Sequence, residues 1–233
     1  MTGRGFTVAL IGPDGAGKTT VARRLDAELP MPVKYLYMGI NPDSSNSLLP
    51  TTRLVHALKR RRGAAPDTAG PRDVREIDVR RGGGPGKRLL RGARATARLL
   101  NRLAEEWHRQ LIAWRYVRRG AVVVFDRHFF ADYHASDIAV DGRRPPLSRR
   151  LHGFVLSRVY PQPDLVVYLD APAEVLLARK GEGTLESLTR RRGEYLALRE
   201  VARNFRVVDA ARPVDEVATE VAELVSTFPR SAA

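Results

Sequence analysis

The chain has 233 residues, 43% of them hydrophobic and 28% charged, a balance that supplies a full globular core, excludes wholesale disorder and suits a single domain spanning 1–233. It contains no cysteine, which rules out a disulfide framework and any thiolate metal site. Lys and Arg total 40 against 26 Asp and Glu, a net charge of +14; this reads either as the mark of a polyanionic or phosphorylated partner or as arginine bias in a chain also rich in Ala and Gly.

Taken in order, the hydrophobic rhythm alternates strands and helices. Phe6 to Ile11 reads as a buried strand that runs straight into a glycine-rich loop. No signal-peptide cleavage site follows it, so the chain is expected to be cytoplasmic. Lys18 to Leu29 is a helix stopped by Pro30, and Val33 to Tyr37 a short second strand. Leu89 to Arg118 carries Leu99, Leu103, Trp107, Leu111 and Trp114 at helical spacing, with Gly120 as the stop. The spacing assigns the two tryptophans to the core. Ala121 to Phe125 and Asp164 to Leu169 are apolar runs of strand length, far short of the ~20 residues of a membrane span. Leu147 to Tyr160, Pro172 to Lys180, Thr184 to Ala202 and Pro213 to Phe228 read as helices, and Phe205 to Val208 as the last strand. This alternation predicts an α/β fold, a parallel sheet with helices on both faces.

One stretch departs from the rhythm. Arg53 to Arg98 holds 14 Lys and Arg against 4 Asp and Glu. Residues 61–87 within it read as a mobile basic insertion, and weak polyanion binding is the expected property of Arg53 to Arg98 as a whole.

Gly12-Pro13-Asp14-Gly15-Ala16-Gly17-Lys18-Thr19 matches G-x-x-x-x-G-K-[ST] between a buried strand and a helix, the context in which that pattern cradles a nucleotide triphosphate. Its glycines let backbone N–H groups converge on phosphates at the positive end of a helix dipole. Lys18, expected to stand exposed over the site, reaches the β and γ phosphates, and the Thr19 hydroxyl ligates Mg²⁺. Asp126 ends a hydrophobic strand and is placed to hold the same metal or its water. The planar fork of the adjacent Arg127 suits a phosphate.

These motifs, together with Thr20, Asp126-Arg127-His128, Pro163-Asp164-Leu165-Val166-Val167-Tyr168-Leu169-Asp170 and Arg190-Arg191-Arg192-Gly193-Glu194-Tyr195-Leu196, resemble the thymidylate kinase family in order and spacing. The resemblance covers the core at both ends of the chain and leaves out about 40–98. It implies the three-layer sandwich of a P-loop nucleoside monophosphate kinase with a five-stranded parallel sheet. The implied reaction is phosphoryl transfer from ATP·Mg²⁺ to a phosphate-bearing acceptor, dTMP, and a homodimer is the expected assembly. ATP would lie on Gly12, Asp14, Gly15, Ala16, Gly17, Lys18, Thr19 and Thr20, with Thr19 and Asp126 on the metal. Asp14 falls where the family contacts the acceptor sugar hydroxyl, and Arg127 where it grips the acceptor phosphate. Gly15 occupies a position at which some members carry an arginine. The cation for the transition state is therefore expected from a short lid at about 179–190, which begins with Arg179 and Lys180, while Arg190 and Arg192 match arginines on the helix after it.

The chain also departs from the family. After the second strand, where the family has Arg or Glu-Pro-Gly-Gly, it reads Tyr37-Met38-Gly39-Ile40-Asn41-Pro42. After Asp-Arg it reads His128-Phe129-Phe130-Ala131-Asp132-Tyr133-His134-Ala135-Ser136-Asp137. The His and Asp residues there match no metal-site spacing and read, with the aromatics, as an acceptor-pocket wall. Arg109 or Arg102 is expected to line the same pocket. These departures keep open a kinase of this fold with another nucleotide or a sugar as acceptor. A nucleotide-dependent nucleic-acid-binding ATPase is a third reading, against which stands the lack of stacking aromatics in Arg53 to Arg98.

Overall fold

In the computed structural model, the described residues are 4–38, 47, 49–50, 52, 85–128, 159–181 and 183–228. Five strands form one sheet: β1 (Thr7–Ile11), β2 (Val33–Tyr37), β3 (Val122–Asp126), β4 (Leu165–Asp170) and β5 (Phe205–Asp209). Their order is β2-β3-β1-β4-β5, and every pairing is parallel. All carboxyl ends therefore lie along one edge, and the chain switches from one side of β1 to the other between β3 and β4. In open α/β sheets ligands bind at such a switch point. The predicted five-stranded parallel α/β architecture is the one observed.

Among the described residues five helices accompany the sheet: α1 (Lys18–Glu28), α2 (Pro85–Val117), α3 (Ala173–Lys180), α4 (Leu185–Ala197) and α5 (Val214–Thr227). Strand alternation divides the core in two. Val8, Leu10, Val122, Val124, Val167, Leu169 and Val208 pack on α1, α3 and α5, while Ala9, Ile11, Val123, Phe125, Val166 and Tyr168 pack with Ala113 and Val117 of α2. Each such Val or Leu contributes about 1.5–3 kcal/mol of transfer free energy, so the central strands carry the sheet and hold its edge in place.

Helix boundaries shift where capping overrides periodicity. α2 begins at Pro85 rather than Leu89, because a proline at the first helical position gives up an N–H that has no helical partner. The last three residues of the expected 61–87 insertion are thus helical, and its other residues lie outside those described. The helix expected over Thr184 to Ala202 ends at Ala197 and tightens into a 3₁₀ turn over Leu198–Glu200. Of the helix expected over Leu147 to Tyr160, residues 147–158 lie outside the described set, and Val159 and Tyr160 form a turn. Among the described residues no helix is long and apolar enough to cross a membrane.

The Pro163-Asp164 pair has a structural role. The Asp164 carboxylate accepts hydrogen bonds from the Thr7 backbone N–H at 2.8 Å and the Thr7 hydroxyl at 2.7 Å, and its own N–H donates to the Thr7 hydroxyl at 3.0 Å. This ties the start of β4 to the start of β1. Asp164→Ala is expected to lower stability by about 2–3 kcal/mol, because hydrogen bonds to a charged group are worth about 1.5–3 kcal/mol and a half-buried donor is left behind. The shift in urea midpoint measures it, with nucleotide affinity unchanged.

Candidate active site

The loop from Gly12 to Gly17 turns off the end of β1 and feeds α1. Gly12, Gly15 and Gly17 all have positive φ, which is what lets successive amides turn inward. Gly15 is doubly constrained: its φ is 91°, and a Cβ there would lie 2.8 Å from the Leu176 carbonyl oxygen. An arginine at this position would have to displace α3, so the cations of the site come from elsewhere.

Lys18 is buried, unlike the expectation of an exposed side chain. It sits in the first turn of α1, and its stem folds back over the loop. Nζ donates to the carbonyls of Gly12 at 2.8 Å and Pro13 at 2.7 Å. The cation is thus held at the mouth of the loop by the loop's own backbone. Thr19, one residue on, donates its hydroxyl proton to Asp126 Oδ2 at 2.5 Å. Asp126 itself is fully buried at the end of β3, and Tyr35 of β2 donates to the same Oδ2 at 2.8 Å. Asp126 Oδ1 is buried with no hydrogen-bond partner among the described residues. A carboxylate oxygen left without a donor among the described residues, beside a hydroxyl oxygen, is a hard-oxygen set that suits Mg²⁺. The residues present fit that ion.

Arg127 is the only non-glycine residue with positive φ, 64°, among those described. Holding a non-glycine residue there costs about 1–3 kcal/mol. The strain redirects the chain: the backbone N–H of Arg127 donates to the Leu10 carbonyl at 3.2 Å, and the guanidinium swings back across the sheet edge to pair with Asp14. Lys180 and Arg191 also face Asp14, at 3.8 and 3.9 Å. Burial works to raise the Asp14 pKa, but Arg127, Lys18, Lys180 and Arg191 outweigh it and hold the carboxyl below its ordinary value. One carboxylate therefore organises several cations drawn from β3, α1, α3 and α4.

The stretch read as a lid, 179–190, comprises the end of α3, a connection over 181–184 and the start of α4. Gly181 takes the left-handed conformation that caps α3. Thr184 accepts from the Ser187 backbone N–H, and the Ser187 hydroxyl sits 3.0 Å from the Thr184 N–H, a reciprocal cap that starts α4. Helical phase then sorts the cations. Arg179 turns away from Asp14 and donates to the carbonyls of Ala210 and Ala211 at 2.6 and 3.2 Å. Arg190 lies 3.6 Å from Glu194. Arg192 makes a two-pronged contact with Asp170 at the end of β4, 2.8 Å to each oxygen, while the Tyr168 hydroxyl donates to Asp170 at 2.9 Å. Of the lid cations, the structure brings Lys180 and Arg191 to the loop. Arg191 was not singled out from the sequence, where three consecutive arginines carry no phase.

Gly12, Asp14, Gly15, Ala16, Gly17, Lys18, Thr19 and Thr20 stand together at the β1–α1 junction, with Asp126 and Arg127 opposite them. On the far face, Arg109 of α2 is buried 3.7 Å from Glu105. Burial lowers its pKa, against the attraction of the neighbouring acids. The Arg102 side chain, the motif after Tyr37-Met38 and residues 129–137 lie outside the described set, so of the expected pocket wall only His128 is placed. It is fully buried between Phe125 and Tyr160, with ring centroids 5.1 and 5.8 Å away, and burial pushes its pKa down to about 3. No group of three or more acidic or histidine residues fit to hold a metal occurs among the described residues.

His128 gives the stability an acid limb. The unfolded chain protonates this ring at about pH 6.5, whereas the folded chain resists until about pH 3. The stabilisation is complete above pH 6.5 and is lost as the pH falls, by at most about 1.4 kcal/mol per pH unit. Below about pH 4 Asp14 and Asp170 add to the loss, since both carboxyls are lowered in the fold; Glu194, raised by burial, acts in the opposite sense. Urea midpoints measured from pH 7 to 4 should fall steadily, and His128→Phe should flatten that limb. A flat wild-type profile would show that the ring is accessible to protons in the fold.

No protein-family model matches the chain. Curated relatives do. The thymidylate kinase of Xylella fastidiosa (strain M12) is 30% identical over 230 residues, covering 95% of this chain and 87% of the relative. The probable thymidylate kinase of Pyrobaculum aerophilum is 31% identical over 231 residues, 96% and 97% of the two chains, and that of Ruegeria pomeroyi 29% identical over 97% of each. Among solved structures, the thymidylate kinase of Candida albicans superposes with a TM-score of 0.61 at 18% identity, over 97% of this chain and 93% of that one, which speaks to the fold.

Proposed function

The chain belongs to the thymidylate kinase family, and from that premise we propose that it transfers the γ-phosphoryl group of ATP to thymidylate, giving ADP and thymidine diphosphate. The observation that carries this reading is the convergence, at the carboxyl ends of β1 and β3, of Lys18, the Thr19–Asp126 pair and the Arg127–Asp14 pair.

Loop amides and Lys18 take the triphosphate, whose charge they complement without any reorganisation at the moment of transfer. Thr19 and Asp126 would hold Mg²⁺, which neutralises charge on the β and γ phosphates. Arg127 grips the acceptor phosphate through two parallel N–H donors, and Asp14, already held ionised, accepts from a sugar hydroxyl. No side chain has to remove a proton from the nucleophile. A phosphate monoester with a second pKa near 6 is mostly dianionic at neutral pH, so its oxygen attacks as it stands. That fits a site with the buried, uncharged His128 behind it. As negative charge spreads over the γ oxygens, Lys180 at the end of α3 and Arg191 on α4, both facing Asp14, are the cations that would meet it.

A coupled assay of ADP release against a panel of nucleoside monophosphates and sugars tests the proposal. Turnover with dTMP supports it. Turnover with another nucleotide or a sugar, and none with dTMP, would assign the other acceptor that the altered motifs after β2 and β3 leave open.

A further inference from the structure

Tyr35 lies on the same face of the sheet as the Thr19–Asp126 pair. Alternation along β3 puts Asp126 in line with Val122 and Val124, whose side chains pack toward α1. Alternation along β2 puts Val33 and Tyr35 against that same cluster. The register pairs Tyr35 with Val124 and Tyr37 with Asp126, so Tyr35 stands one same-face position behind the carboxylate. The phenol spans that diagonal, and its hydroxyl closes to 2.8 Å from Asp126 Oδ2.

We propose that Tyr35 is a positioning residue for the metal-side carboxylate, fixing the rotation of Asp126 so that Oδ1 faces the cation site. A buried carboxylate needs donors, and here Thr19 and Tyr35 both donate to one oxygen while Oδ1 has no hydrogen-bond partner among the described residues. Two donors approaching one oxygen from different elements leave the carboxylate no freedom to exchange its oxygens. They also leave it one uncommitted acceptor. Outer partners that orient a metal ligand typically change metal affinity by about 10–100-fold when removed.

The inference rests on the nucleotide-site reading, and its test separates the two. Mn²⁺, an oxygen-seeking octahedral ion, is titrated by electron paramagnetic resonance into the full-length protein with a non-hydrolysable ATP analogue. If the nucleotide-site reading is wrong, the wild-type protein shows no analogue-dependent Mn²⁺ binding at all. If it is right, Tyr35→Phe, which removes only the hydroxyl, should weaken Mn²⁺ about tenfold and leave analogue affinity in EDTA within about twofold. On an Asp126→Asn background the same substitution should cost nothing further, because a residue acting through Asp126 has no independent effect once that carboxylate is gone. Should the Phe variant not fold, Tyr35→His makes the same comparison, since its shorter reach also withdraws the donor from Oδ2. Unchanged Mn²⁺ affinity in a folded Tyr35 variant, or an equal loss on the Asp126→Asn background, overturns the proposal.

Discussion

Lys18→Ala lowers the turnover of phosphoryl transfer about 10²–10³-fold, the usual cost of removing one preorganised donor aimed at developing charge. Lys18 is the loop's own cation, in the first turn of α1, and its ammonium already lies within 2.7–2.8 Å of two loop carbonyls. Because the side chain is buried, the substitution also has a structural effect. The Gly12 and Pro13 carbonyls each lose a charged donor, and stability should fall by about 1–3 kcal/mol. The two effects separate by experiment. Turnover is measured at saturating ATP, where a merely weakened fold keeps its rate per folded molecule, and the folded fraction is read by circular dichroism. Near wild-type turnover in the Ala variant would remove the loop from the mechanism.

Arg127→Ala acts on the other substrate. It should raise the acceptor KM about 10–100-fold, since hydrogen bonds to a charged group are worth about 1.5–3 kcal/mol, while ATP hydrolysis without acceptor stays within about twofold. Geometry supports the asymmetry: Arg127 meets the loop at Asp14, whereas Lys18 and Thr19 are the residues proposed to hold the triphosphate. The left-handed backbone at 127 persists in the variant, because Asp126 is locked in β3 and the Arg127 N–H is bonded to the Leu10 carbonyl. What changes is the side chain alone. Equal loss of hydrolysis and transfer would place Arg127 on the donor side instead.

Much of this fold is legible in the sequence because burial on both faces writes itself as unbroken apolar runs. Val122 to Phe125 and Leu165 to Leu169 could be read as central strands at sight, and the loop between β1 and α1 is legible because glycine, lysine and threonine recur at fixed offsets for stated mechanical reasons. Asp126 was legible as the polar end of a strand. The cations were not. Arg179 and Lys180 end α3 and Arg190 to Arg192 lie midway along α4, where a run of cations carries no hydrophobic phase, and so the partition between the Ala210 carbonyl, Asp14 and Asp170 emerges only from the packing of α3 and α4. Asp164, part of a motif that carries the family resemblance, works as a strand tie. Tyr35 reads like an ordinary strand aromatic, and only its register against β3 sets its hydroxyl on Asp126.

The most direct measurement of the central claim follows the label. Wild-type protein is incubated with ATP labelled at the γ position, Mg²⁺ and dTMP, and the products are resolved. Label should appear in thymidine diphosphate, with ADP in equal amount, and both should fall sharply with Lys18→Ala. Label released only as inorganic phosphate, at a rate that dTMP does not change, would contradict it.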